Sequence, residues 1–228
     1  NKVVMAITGF FLALFITGHM VGNLQVFFGR EVFNTYAHFL QSLGELLWLI
    51  RISLFICLIL HIITSIRLKA LNLGAKPVGY KKKSYAKATF SARTMIWTGV
   101  MIFAFLVYHI MHFTMGVTDP DIYGHPDYYD AEASYFVDKS AEDIQGEAVE
   151  VEGEEMVKVT DDKVLFERHD AWYMVVAGFK KPLATIAYIV GMIILGFHLA
   201  HSIQSMFQTL AISGDKFTPW MMKFSNWF

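Results

Sequence analysis

The sequence predicts an all-α membrane protein, a transmembrane helix bundle with at least four spans. Three observations predict it. Of the 228 residues, 55% are hydrophobic and only 17% are charged, where soluble domains carry about 25% charged residues. Four apolar runs are each long enough to cross a hydrocarbon core of about 30 Å, which takes about 20 residues. Each run also holds histidine, and an ionisable side chain inside a span is costly enough to mark a functional position.

Helix I is predicted from about Val3 to Phe28, with Lys2 before it and His19 inside it. Gly29-Arg30-Glu31 breaks the run, and Glu31–Gly44 reads as a short polar-aromatic connection containing His38. Helix II runs from about Glu45 to Leu68, with Arg51 and His61 inside and Arg67 and Lys69 at its exit. Leu71–Arg93 is a basic loop without an acidic residue. Helix III runs from about Thr94 to Val117 with His109 and His112, and helix IV from about Pro182 to Ser213 with His198 and His201. The domain reading is a single transmembrane domain over residues 1–228, carrying an acidic insert at 118–181 between helices III and IV. The last 15 residues, Gly214–Phe228, are too short to cross a bilayer and read either as an interfacial piece or as the start of a fifth span. The chain begins at Asn1, so a short preceding piece is expected, and the first run is too long for a cleavable signal.

Net charge is −1, but the charges are segregated. Lys76, Lys81, Lys82, Lys83, Lys87 and Arg93 concentrate in the loop after helix II, whereas residues 118–170 hold 17 acidic residues against four basic ones. The positive-inside rule puts the basic loop in the cytoplasm. Four spans then place the N-terminus inside as well, and the insert outside. The Glu-rich centre of the insert, Glu147–Asp162, reads as a solvated loop. Its aromatic ends, Tyr123–Tyr129 and Phe166–Phe179, are expected on the outer membrane surface. Cys57 is single and lies in an apolar run, so it forms no internal disulfide and reads as a small buried residue. No nucleic-acid motif, P-loop or hydrolase triad is found.

Histidine depth carries the chemistry. From Val3 to His19 is 16 residues, from Glu45 to His61 is 16, from Thr94 to His109 is 15 and from Pro182 to His198 is 16. Each offset is roughly 24 Å of helix rise. Because alternate helices run in opposite directions, His19 and His109 fall towards the outer face, and His61 and His198 towards the inner face. The vertical gap between the pairs is on the order of 10–18 Å. Two imidazoles at one depth suit a six-coordinate b-type haem, whose macrocycle needs a dry slot between helices. Two such haems give a path for electrons across the membrane. Zinc fits less well, since structural zinc sites cluster ligands at one level. His112 and His201 sit three residues beyond His109 and His198 on nearly the same faces, and spacing alone hardly separates the members of each pair. Gly191 and Gly22 are small residues near His198 and His19 that leave room for a ring or for a helix contact.

The segments TGFFLALFITGHMVGN around His19, FNTYAHFLQSL around His38, LILHIITSIRLKA around His61, FAFLVYHIMHF around His109 and YIVGMIILGFHLAHS around His198 together carry a family resemblance. The chain resembles the di-haem cytochrome b558 membrane anchor of succinate dehydrogenase and fumarate reductase, the single-polypeptide, five-helix type of succinate:quinone oxidoreductase. The similarity covers nearly all of the chain outside 118–181. The resemblance implies two haem b groups with axial ligands His19, His61, His109 and His198. It implies His19 and His109 on the distal haem and His61 and His198 on the proximal one, and it favours His109 over His112 and His198 over His201. It further implies a quinone substrate, menaquinone by expectation, and flavoprotein and iron–sulfur subunits docked on the cytoplasmic side. The location it implies is a bacterial cytoplasmic membrane, and a higher oligomer is open. The family has a fifth span where this chain stops, and a shorter connection between helices III and IV.

Arg51, Arg67, Lys69, Arg93 and Lys2 are placed for contact with haem propionates, or for ordinary snorkelling to headgroups. Arg51 stands out because it lies inside a span. Gln25, His38 and Glu45 are candidates for a quinone site near the outer face. Two rival readings remain at this stage. One is a transporter or channel subunit with a histidine proton relay; the other is a haem-binding structural anchor without quinone chemistry.

Overall fold

The computed structural model describes residues 1–75, 90–130, 135–136, 148–151, 154–159, 163–210 and 219. Four of its helices are long and apolar enough to cross a membrane: Lys2–Phe28, Glu45–Gly74, Arg93–Thr114 and Pro182–Thr209. The chain is an all-α transmembrane helix bundle in its membrane part. Almost no residue of the four spans is buried inside the protein. Their apolar surface therefore faces lipid or a bound apolar group rather than a protein core.

The elements follow the composition closely. Helix α1 (Lys2–Asn23) is uncharged after Lys2 and tightens into a 3-10 turn at Leu24–Phe28. Gly29, at φ +102°, ends it in a conformation that a side chain would disfavour. Helix α2 (Arg30–Ser42) follows where the sequence suggested a simple connection. Its Phe33 and Asn34 are buried, so it is an amphipathic packing element and not a bare linker. Helix α3 (Glu45–Gly74) extends beyond the expected end at Leu68, because Lys69–Gly74 contains no residue that stops a helix before Gly74. Helix α4 (Phe90–His109) passes into a π turn at Ile110–Thr114. Helix α7 (Pro182–Thr209) opens with proline at its first position, where the missing N–H costs nothing.

Contacts divide the chain into two compact units. The first comprises Asn1–Met20, Glu45–Val107 and Ile186–Phe228; the second comprises Val21–Gly44 and Tyr108–Thr185. In the first unit, no pair of spanning helices shares an extended close backbone contact among the described residues. The helices meet through individual side chains. Phe105 and Tyr188 stack edge-on at 5.1 Å, and a Cβ at Gly191 would come within 2.7 Å of Phe105.

The second unit holds the insert. After α5 (Pro120–Tyr123) come β1 (Pro126–Asp130), β2 (Tyr135–Phe136), β3 (Ala148–Val151), β4 (Glu154–Val159) and β5 (Lys163–His169), then α6 (Ala171–Phe179). The sheet order is β2-β1-β5-β4-β3, antiparallel throughout. This corrects the reading of Glu147–Asp162 as a solvated loop. Val149 and Val151, and Val157 and Val159, recur at every second residue among the acidic ones, which is the spacing of a strand. Its Glu content concealed the pattern. In the register, Val157 pairs with Leu165 and Met156 with Phe166, and Leu165 is fully buried. The aromatic ends of the insert are packed within this unit: Tyr128, Ala171 and Met174 are buried. The basic residues Lys76, Lys81, Lys82, Lys83 and Lys87, and the tail apart from residue 219, lie outside the described residues.

Polar groups lock α2 to β1, β5 and α6. Asn34 Nδ2 donates to Asp127 Oδ2 at 2.7 Å and to Asp170 Oδ1 at 3.0 Å, and its Oδ1 accepts from Trp172 N at 2.8 Å. Arg30 pairs with Asp170, while Arg168 reaches Asp127 at 2.6 Å and Glu31 at 3.1 Å. Asp170 also caps α6 by accepting from Tyr173 N at 2.9 Å. Asp127 and Asp170 are fully buried. Burial raises the Asp127 carboxyl above its ordinary value, against the opposing bonds from Arg168 and Asn34.

Candidate functional site

Two of the four sequence-predicted histidines share one kind of seat in the first unit. His61 on α3 and His198 on α7 are both half-buried. Each is backed by a threonine–glycine pair from a neighbouring helix. Thr8 Oγ1 of α1 lies 3.4 Å from His61 Nδ1, and Thr98 Oγ1 of α4 lies 3.1 Å from His198 Nδ1. A Cβ at Gly9 would stand 3.2 Å from His61 Cε1, and one at Gly99 3.6 Å from His198 Cε1. The glycines let each imidazole lie close against the next helix. With both Nδ1 atoms engaged, Nε2 is the nitrogen each ring has for another partner.

These features fit a haem. The donor set is two imidazoles on apolar spans, each with Nδ1 against a threonine hydroxyl and a glycine beside the ring. His61 and His198 are the residues that would hold the iron at this level.

The other predicted pair falls one in each unit. His19 is in the first unit, exposed and stacked on Phe15 at 5.5 Å. His109 is in the second unit, half-buried, and meets Phe113 edge-on at 6.1 Å. His112 is a different kind of residue. It is 3% exposed, stacks on Phe113 at 4.0 Å and on Tyr108 at 5.4 Å, and pairs with Asp119 at 3.6 Å. A Cβ at Gly178 would touch its ring at 3.3 Å. The π turn begins directly after His109, and its slower winding turns His112 away from the His109 face. His112 is thus committed to packing, which spacing alone did not reveal. His201 is half-buried on α7.

The remaining candidates are dispersed. Arg51 is exposed and lies over the Trp48 ring at 5.2 Å. Arg67, Lys69 and Arg93 are exposed. Gln25 is half-buried in the 3-10 turn, His38 is on the exposed side of α2, and Glu45 is exposed at the start of α3. Gly22 and Gly191 are not ring seats beside His19 and His198. Gly22 receives the Tyr36 ring, where a Cβ would fall 2.4 Å from Tyr36 Oη, and Gly191 receives Phe105.

The residues sequence reasoning missed are Thr8, Gly9, Thr98 and Gly99. A signal existed: both α1 and α4 carry Thr-Gly followed, eleven residues after the threonine, by a histidine. No family model, curated protein or solved structure matches the chain.

Proposed function

We propose that this chain is the membrane anchor and electron-transfer cytochrome b of a succinate:quinone oxidoreductase, with two bis-histidine b-type haems. The observation that carries the reading is the matching seats of His61 and His198, each imidazole set against a Thr-Gly pair of another apolar span. The matched depths of His19 and His109 supply the second level, and the five ordered sequence segments supply the family. When bound, haem iron supplies one-electron transfer between donor and acceptor at a potential tuned by its ligands and surroundings. The chain's own part is positioning. His61 and His198 would hold the iron at the inner level, and His19 and His109 at the outer one. The apolar side chains of the spans would keep water from it. Arg51, Arg67, Lys69 and Arg93 are the cations available for propionates, and Gln25, His38 and Glu45 the polar groups available to a quinone.

In this reading the N-terminus and the basic loop face the cytoplasm of a bacterial cell, where flavoprotein and iron–sulfur subunits dock. Dicarboxylate chemistry belongs to those subunits, and menaquinone is the membrane substrate. The test is a reduced-minus-oxidised optical spectrum with a haem count on the purified protein. About two low-spin b haems per chain, reducible through a quinol, support the proposal. A folded protein without haem refutes it and favours a histidine relay; haem that no quinol reduces leaves only a structural anchor.

A further inference from the structure

The threonines behind the inner histidines do more than fill space. A threonine hydroxyl has one proton to donate. Thr8 Oγ1 lies 2.8 Å from Val4 O and 3.2 Å from Met5 O, so its proton goes to its own helix. Thr98 Oγ1 lies 3.0 Å from Met95 O and 3.3 Å from Thr94 O, with the same consequence. A hydroxyl whose proton is spent on a carbonyl can meet an imidazole nitrogen only as an acceptor. His61 and His198 must then carry their proton on Nδ1, with Thr98 Oγ1 as the acceptor for His198 and Thr8 Oγ1 beside the Met5 carbonyl as the acceptors for His61. That tautomer leaves the Nε2 lone pair for metal ligation. Thr17 also bonds back to its own helix, at 2.9 Å to Ala13 O. The bond to the helix is therefore ordinary, and the histidine beside Thr8 and Thr98 is the distinguishing feature.

The repeat explains why two helices do this alike. Thr8 and His19 are eleven residues apart on α1, and so are Thr98 and His109 on α4. Eleven residues make three helical turns with about 20° left over, so threonine and histidine share a face, separated by roughly 16.5 Å along the axis. Each of these helices thus offers, on one face, a seat for another helix's histidine at one level and its own histidine at the other. The separation falls inside the gap expected between two haem levels.

We infer that Thr8 and Thr98 are positioning residues that fix the tautomer and ring orientation of His61 and His198, and thereby set the ligand strength of the inner haem site. The inference rests on the haem reading above. Second partners of a ligating histidine are typically worth about 10–100-fold in affinity for the metal. Accepting the Nδ1 proton also makes the imidazole a stronger donor, which favours the ferric state.

The experiment compares wild type with Thr8→Val, Thr98→Val and the corresponding Thr→Ser variants in the full chain. Valine keeps the shape and removes the hydroxyl acceptor, and serine keeps it; Thr98→Val is the sharper variant, because His61 retains the Met5 carbonyl. Haem content, low-spin spectrum and midpoint potentials are measured. The valine variants should weaken inner-haem retention about 10–100-fold or raise that haem's potential, with serine restoring both. The outer haem, unchanged, reports that the protein is folded. Wild-type content and potentials in both valine variants overturn the inference while the haem reading stands. Equal effects of valine and serine assign the site to packing and also overturn it. A haem-free wild type overturns the functional reading and this inference with it.

Discussion

Replacing Asn34 should open the second unit locally. Asn34 is 1% exposed and makes three hydrogen bonds, two to buried carboxylates and one to the Trp172 amide. Asn34→Leu keeps most of the volume and removes all three. The Trp172 N–H is then left without its acceptor, which costs about 1–3 kcal/mol for a buried donor. Asp127 keeps Arg168, and Asp170 keeps Arg30 and the Tyr173 amide, so the two lost carboxylate bonds count at the low end, about 1 kcal/mol each. The sum is on the order of 3–5 kcal/mol. One factor of ten corresponds to about 1.4 kcal/mol, so amide hydrogen exchange at Trp172 and Tyr173 should accelerate by more than about 100-fold. The assay is site-resolved exchange on the protein in nanodiscs. An acceleration of less than about threefold would refute the claim that this polar triad holds α2 against α6.

Other outcomes follow from the same geometry. His61→Ala and His109→Ala should each remove one haem and not both; haem content equal to wild type in either variant would sink the ligand assignment. His112→Phe should keep both haems, because the ring is committed to Phe113, Tyr108 and Gly178, and a loss of haem there would make His112 the ligand instead. Burial lowers the His169 pKa from its ordinary 6.5, with Asp170 opposing. The stabilising contribution is therefore present above pH 6.5 and is lost as pH falls through the folded-state value. The second unit should show lower exchange protection, after division by the intrinsic rate at each pH, at pH 5 than at pH 7.5, and His169→Gln should flatten that dependence. The raised carboxyl of Asp127 works in the opposite sense at lower pH, so the wild-type-minus-variant difference is the quantity to compare.

The sequence by itself determined the spans. Twenty-odd apolar residues can satisfy their backbone in a bilayer only as a helix, and the four runs became the four long helices with their ends shifted by a few residues. It also set the spacing of each histidine from its neighbours along its own helix, because helix rise per residue is fixed. The insert was harder to read. Its acidic residues suggested a solvated loop, yet valines at every second residue suit strands, and the pairing of β4 with β5 joins residues no local rule connects. Side-chain partners were out of reach for the same reason. That Thr8 meets His61, that Gly22 takes Tyr36 rather than a ring beside His19, and that His112 is spent on packing all depend on which helices lie side by side. The Thr-Gly repeat was visible in the chain but meant nothing until α1 and α4 placed each pair behind another helix's imidazole. Local sequence sets what a segment is and how long it runs. Which nitrogen of a histidine is left for chemistry is decided by the neighbour that takes the other, and only tertiary structure supplies that neighbour.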